Sequence, residues 1–239
     1  MGKTLFSEVA ACFSPSGGVV WHLRALRLRR QWAGFNGNIA LWLNQWEHRC
    51  TGLLLLGPSA GWCLPDSFLC RFPSIHAVDT DPLAPALFGL VHGRALASSG
   101  VKVSWERADI FMALERLLEA FPGHALLFCN MLGQHALHRP EAGLAEAEIA
   151  ALGRRLKGRQ WASFHDRLSG LWAANRPVPQ AFILDATEEA MPLAKRVSAA
   201  GEWRDHLTTR VLPSSGARLL LPWMIRPGRL HWIEAGCVG

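Results

Sequence analysis

Long apolar runs are missing from this 239-residue chain. Thr51 to Leu56 is the strongest candidate and is stopped at once by Gly57 and Pro58. A membrane-spanning helix needs roughly 18 or more apolar residues, so none is expected. Met1 to Pro15 carries Glu8 and no apolar stretch behind a basic start, which does not suit a secretory leader and points to the cytoplasm. The cysteines at 12, 50, 63, 70, 129 and 237 form no Cys-x-x-Cys pair, so neither a structural metal nor a redox couple is expected. The phosphate-binding patterns G-x-G-x-x-G and G-x-x-x-x-G-K-[ST] are absent as well, which argues against dinucleotide binding and ATP hydrolysis. Tyrosine does not occur beside 11 tryptophans, a bias that nothing else in the sequence explains.

With 50% hydrophobic and 18% charged residues, the chain can bury one sizeable core. Its net charge of +6 favours an anionic partner. Arginines 24, 27, 29 and 30 gather in a helix expected over Val19 to Trp32, where a solvated face is the simpler reading. No basic tail, zinc finger or RNP-like motif supports nucleic-acid binding beyond charge.

Residues 1–50 read as a helical cap with a break at Ser14 to Gly18. Its second helix aligns Ile39, Leu43 and Trp46 on one apolar face beside Trp42. From residue 51 to 239 the pattern becomes short apolar strands alternating with helix-length segments, as parallel β-α-β units require. Strands are expected at Gly52–Leu56, Ser74–Asp79, Val101–Trp105, Ala125–Cys129 and Trp161–His165. Helices are expected at Asp66–Arg71, Pro82–Ser98, Ile110–Ala120 and Glu141–Lys157. Residues 166–216 read as an irregular, substrate-side insertion with one helix opened by Thr187, Glu188 and Glu189. Ala217–Ile225 and Arg229–Ala235, turned by Pro227 and Gly228, complete seven strands with an antiparallel hairpin. The expected fold class is α/β, a mostly parallel sheet flanked by helices.

Ligands of open parallel sheets bind beyond the carboxyl ends of strands, near the point where strand order reverses. The first strand runs into Gly57, Pro58, Ser59, Ala60 and Gly61, and the second ends at Asp79. The third is followed by Asp109 and Ile110, and the fourth by Asn130 and then Gly133-Gln134. Each has a plainer reading. The glycines fit ordinary turns, Asp79 or the better placed Asp81 would cap the next helix, Asp109 would cap Ile110–Ala120, and Asn130 would satisfy a loop. His165-Asp166 and Asp205-His206 offer general bases or structural hydrogen bonds, while Trp42, Trp46 and Trp62 offer an aromatic lid or core packing.

This order of glycine loop, acid, Asp, polar motif and final hairpin resembles the class I, Rossmann-like S-adenosylmethionine-dependent methyltransferases, over roughly residues 50–235. The resemblance implies S-adenosylmethionine as cofactor, with Gly57, Pro58, Ser59 and Gly61 along its methionine part. It also implies Asp79 on the ribose, Asp109 and Ile110 beside adenine, and Asn130 facing cofactor and substrate. His165 and Asp166 are the candidate catalytic pair. The chain departs from the family at Leu55, which stands at its usual acidic position, and at Pro58 and Ser59, which interrupt its glycines. Pro58 lacks an amide hydrogen, which harms a phosphate cradle more than a phosphate-free pocket. The implied activity is in-line methyl transfer to an unidentified acceptor, leaving adenosylhomocysteine. A catalytically silent binding or scaffold protein and an RNA-directed methyltransferase stand as alternatives.

Overall fold

The computed structural model describes residues 18–138, 141–173, 175–184, 190–197, 203–214 and 216–239. These fall into two compact units that divide between Leu127 and Phe128. Among the described residues no helix is long and apolar enough to cross a membrane. Cys12, Met1 to Pro15 and the helix-opening residues Thr187 to Glu189 lie outside the described residues.

The first unit contains helices α1 (Gly18–Leu28), α2 (Ala33–Gln45), α3 (Asp66–Leu69), α4 (Ala84–Ser98) and α5 (Ile110–Ala120). Its strands are β1 (Gly52–Leu56), β2 (Ser74–Asp79), β3 (Lys102–Arg107) and the start of β4 (His124–Cys129). Their order is β3-β2-β1-β4, that of the first half of a Rossmann-like sheet, and strand order reverses at β1. Parallel pairing sets Leu53 opposite Ile75 and Ile75 opposite Val103. Every residue of β1 is buried, so this strand reads as an unbroken apolar run rather than an alternating one. Each of its four leucines contributes about 1.5–3 kcal/mol by leaving water. The apolar face expected in α2 is buried as well, through Phe35, Ile39, Trp42 and Leu43.

The second unit is built on β5 (Trp161–Leu171), which pairs antiparallel with β9 (Arg229–Val238) and with the short β7 (Trp203–Asp205). The expected terminal hairpin forms between β8 (Arg218–Arg226) and β9, turned through Gly228 at φ 76°, and β6 (Phe182–Leu184) joins the outer edge of β8. Helices α6 (Leu132–His138), α7 (Ala142–Arg155) and α8 (Ala190–Val197) complete this unit. All seven expected strands occur, and β6 and β7 bring the described residues to nine. Both additions lie within 166–216, in segments whose apolar residues are too few to announce a strand. Leu168, Trp172, Leu184, Leu193, Leu220, Leu230 and Trp232 form one of this unit's apolar clusters.

One boundary matters for the site. β5 continues six residues past His165, to Leu171, because antiparallel partners on both sides satisfy the backbone that a parallel strand end would leave open. The β5–β9 register shifts between Asp166 and Leu168, a bulge that re-aims the side chains around it.

Candidate functional site

In the first unit, the loop after β1 is shaped by three left-handed residues, Gly57 (φ 68°), Ser59 (φ 52°) and Gly61 (φ 69°). The Gly57 amide donates to Val78 O at 2.9 Å and the Gly61 amide to Pro58 O at 2.8 Å. A non-glycine residue in this region costs about 1–2 kcal/mol. At Ser59 the cost is offset by its amide, which donates to Asp79 Oδ2 at 2.7 Å. The other carboxylate oxygen, Oδ1, accepts from the Asp81 amide at 2.9 Å. Burial raises the Asp79 pKa, against the lowering pull of these amides. The Ser59 hydroxyl oxygen is buried with no hydrogen-bond partner. The neighbouring ends of β1 and β2 therefore hold an acceptor-rich carboxylate beside an unsatisfied hydroxyl.

Helix capping falls to Asp81, whose Oδ1 accepts from the Leu83 amide at 2.9 Å. Its Oδ2 accepts from the Gly18 amide at 2.9 Å and meets His22 Nε2 at the same distance. The indole Nε1 of Trp62 donates to His22 Nδ1 at 3.0 Å, so His22 carries its hydrogen on Nε2 and passes it to Asp81. Burial would raise the Asp81 pKa, but His22 and the Leu83 and Gly18 amides outweigh it and lower it. Asn36 Nδ2 donates to Trp62 O at 3.2 Å, so α1 and α2 both fasten the loop after β1. Trp42 and Trp46 are buried core residues, whereas Trp62 is half-buried and tied to His22.

Gly61 is required for packing. A Cβ there would lie 2.5 Å from His92 Nε2, and that ring is held between Gly61 O at 3.1 Å and Asp66 Oδ1 at 2.6 Å. Gly100 shares the left-handed conformation (φ 70°) but faces open space. Gly100→Ala should therefore lose only the conformational ~1–2 kcal/mol. Gly61→Ala should lose distinctly more, read as a larger fall in thermal midpoint by circular dichroism. Equal falls would show that His92 yields freely.

Asp109 is exposed and caps α5, accepting from the Phe111 amide at 2.9 Å and the Met112 amide at 3.3 Å, while Ile110 is buried. Leu55 is fully buried inside β1.

In the second unit, Asn130 is left-handed (φ 50°). Its amide donates to Phe164 O at 2.8 Å, and its side-chain oxygen is buried without a partner. His165 lies within β5, not at its end, and is fully buried. Its Nδ1 meets Ser163 Oγ at 2.9 Å. Burial first, and the Arg167 guanidinium next, hold its pKa down to about 3. It is thus neutral near pH 7 and shut away from solvent. Beside it, Glu234 (0% exposed) lies 3.0 Å from Arg167 Nε and 2.9 Å from Arg218 Nη1.

Asp166 lies apart from that group. Its Oδ1 accepts from His231 Nδ1 at 2.6 Å, and its backbone oxygen accepts from Thr208 Oγ1 at 2.7 Å. Burial would raise its pKa, but the facing His231 and His206 outweigh it and lower it. His206 meets Gly133 O at 3.0 Å through Nδ1 and Ser169 Oγ at 3.0 Å through Nε2. The sequence pointed to His206 beside Asp205 but not to His231, Ser169 or the Arg167–Glu234–Arg218 group. Polar residues inside β5 and β9, at positions where a core strand would be apolar, were the available signal.

No protein-family model matches the sequence, and no curated protein matches it significantly. Among solved structures, the chain is similar to the N-methyltransferase NodS of Bradyrhizobium japonicum WM9 in complex with S-adenosyl-L-homocysteine. The identity is 13%, covering 84% of this chain and 85% of that one, with a TM-score of 0.41. It is also similar to the N-terminal domain of EvdMO1 with S-adenosylhomocysteine bound, at 16% identity over 90% and 81% of the two chains and a TM-score of 0.39. An O-methyltransferase family protein from Burkholderia thailandensis shares 14% identity over 84% of this chain and 55% of that one, with a TM-score of 0.44. Likeness this distant assigns no residue of the present chain a role.

Proposed function

We propose that the chain is an S-adenosylmethionine-dependent methyltransferase, with the loop after β1 and the acid at the end of β2 receiving the nucleoside. The observation that carries this reading is the Asp79 carboxylate. It is desolvated, anchored by the Ser59 and Asp81 amides, and set at the carboxyl end of a strand next to the sheet's reversal point. A carboxylate has about four lone-pair sites, so two anchoring amides leave acceptor capacity for the vicinal hydroxyls of a ribose. The unpartnered Ser59 hydroxyl adds a polar group that a ligand would satisfy.

In this reading Gly57, Pro58, Ser59 and Gly61 shape the methionine side, and Asp109 and Ile110 border the adenine. The helices before residue 51 act as a cap, and residues 166–216 serve the acceptor. When bound, the cofactor supplies an electrophilic methyl group on a sulfonium. The chain's own residues orient it and exclude water, contributions that alone lower a transfer barrier substantially. His165 is fully buried and burial makes it a weak base, which disfavours it as a proton acceptor for a substrate, and the Asp166 carboxylate already accepts from His231.

Calorimetric titration of the full chain with S-adenosylhomocysteine tests the proposal, since absence of saturable binding to folded protein overturns it. The pH dependence is a second readout. Because burial lifts the Asp79 pKa above the ordinary carboxylate range, protonation removes a ribose acceptor at a higher pH than usual. Affinity should therefore be full above that raised pKa and fall as pH is lowered through it.

A second reading, a methyltransferase-like protein that binds without turnover, is favoured by Leu55, which is wholly buried where an acid would meet the cofactor's ammonium group. It predicts binding of S-adenosylhomocysteine but no substrate-dependent transfer of labelled methyl from cofactor in cell extract. Label transfer to RNA alone would instead identify the acceptor class.

A further inference from the structure

The second unit brings one carboxylate and two imidazoles together from three separate parts of the chain: Asp166 in β5, His206 just after β7, and His231 in β9. One ligand-capable atom from each lies within 4.8 Å of the other two. Asp166 and His206 are buried and His231 half-buried. We propose that these three residues form a binding site for a single divalent transition ion, with zinc as the ion the donor set suits best.

The donor chemistry selects the class of ion. Two imidazole nitrogens and one carboxylate oxygen suit zinc and its first-row neighbours, whereas magnesium and calcium prefer all-oxygen sets. Zinc–nitrogen and zinc–oxygen bonds of ~2.1 Å put tetrahedral donors roughly 3.4 Å apart, so the atoms within 4.8 Å draw in only modestly, while the 2.6 Å hydrogen bond from His231 to Asp166 opens and its hydrogen leaves as the ion takes its place. Three protein ligands leave one position for water or substrate, which is the pattern of reactive rather than purely structural sites.

The surroundings already hold the ligands as such a site requires. Gly133 O can only accept, so His206 Nδ1 carries the hydrogen at that 3.0 Å contact and Nε2 keeps its lone pair. A backbone carbonyl fixing the outer nitrogen of a histidine is the usual way its metal-facing nitrogen is set. The hydroxyl of Ser169 now donates to Nε2 and would rotate away when the ion binds. Asp166 is held from behind, since its backbone oxygen accepts from the fully buried Thr208 and a Cβ on Gly133 would come within 2.7 Å of its own Cβ. The bulge between Asp166 and Leu168 brings Asp166 and Ser169, three positions apart, to the same group of histidines. The turn at His206 is fixed by its amide donating to Arg167 O at 3.1 Å and by the Leu207 amide donating to Asp205 Oδ1 at 2.9 Å.

The test uses the full chain, stripped with chelator and titrated with zinc chloride by calorimetry and with cobalt(II) by visible absorption. One ion per chain is expected, with a cobalt spectrum of mixed nitrogen and oxygen ligation and no comparable magnesium binding. His206→Gln and His231→Gln should each weaken zinc binding by at least ~10-fold, while His76→Gln, remote in sequence and outside the cluster, should leave it unchanged. Should His206→Gln fail to fold, the half-buried His231→Gln and the cobalt spectrum of the unaltered chain decide. No saturable zinc uptake, a cobalt spectrum without nitrogen ligation, or undiminished affinity in His231→Gln would each overturn the proposal. The cluster would then be a buried hydrogen-bond network. None of these readouts depends on methyl transfer.

Discussion

Asp79→Ala is expected to weaken binding of S-adenosylhomocysteine about 100-fold in a protein that remains folded. Two ribose hydroxyls donating to a charged acceptor contribute roughly 1.5 kcal/mol or more each. Their joint loss of about 3 kcal/mol corresponds to about two decades in affinity. The substitution also releases the Ser59 amide, whose bond to Asp79 offsets the left-handed strain of that residue, so the turn loses definition and the loss should not be smaller. Circular dichroism with calorimetry checks both halves. Unchanged affinity in the variant would remove the central support for a nucleoside at this strand end. A variant that binds normally but melts far earlier would make Asp79 a loop anchor only.

The largest stability effect should come from the second unit. Glu234→Gln leaves Arg167 and Arg218, which are 2% and 4% exposed, without the carboxylate that lies within 3.0 Å of both. Breaking a buried ion pair from one side strands a charge in a medium that solvates it poorly, at a cost of about 3–5 kcal/mol. His165 offers no substitute, because burial keeps its ring neutral. Urea denaturation should show a loss of unfolding free energy of that size, against a smaller loss for Glu234→Leu paired with Arg218→Met. A loss below about 1 kcal/mol in the single variant would mean that water reaches these guanidinium groups, contrary to their burial.

Much of the first unit was legible because its signals are local. A run of four leucines ending in glycine reads as an interior strand with a turn behind it, and β1 is that. The Asp109 cap and the apolar face of α2 were equally readable, since both depend on residues within two turns of each other. That Asp81 is better placed than Asp79 to cap the next helix was readable too, because the cap is local. The ties from Asp81 to Gly18 and His22 were not legible, since they reach across dozens of positions. In the second unit the length of β5 escaped the pattern because its interior carries Ser163, His165, Asp166, Arg167 and Ser169, all buried. Alternation cannot mark the face of a strand when polar groups are satisfied across both faces. His231 had no neighbour in sequence to flag it, and only the pairing of β5 with β9 sets it against Asp166.

The thread from Trp62 through His22 to Asp81 ends two residues from the acid that matters most, and Asp81's own amide steadies that acid's Oδ1. The first described helix is thus coupled through His22 and Asp81 to Asp79, the proposed ribose acceptor. Shortening the chain from its front past His22 would slacken that relay and loosen Asp79 at a distance, so a trimmed version of this protein is a poor reporter of what the whole one binds.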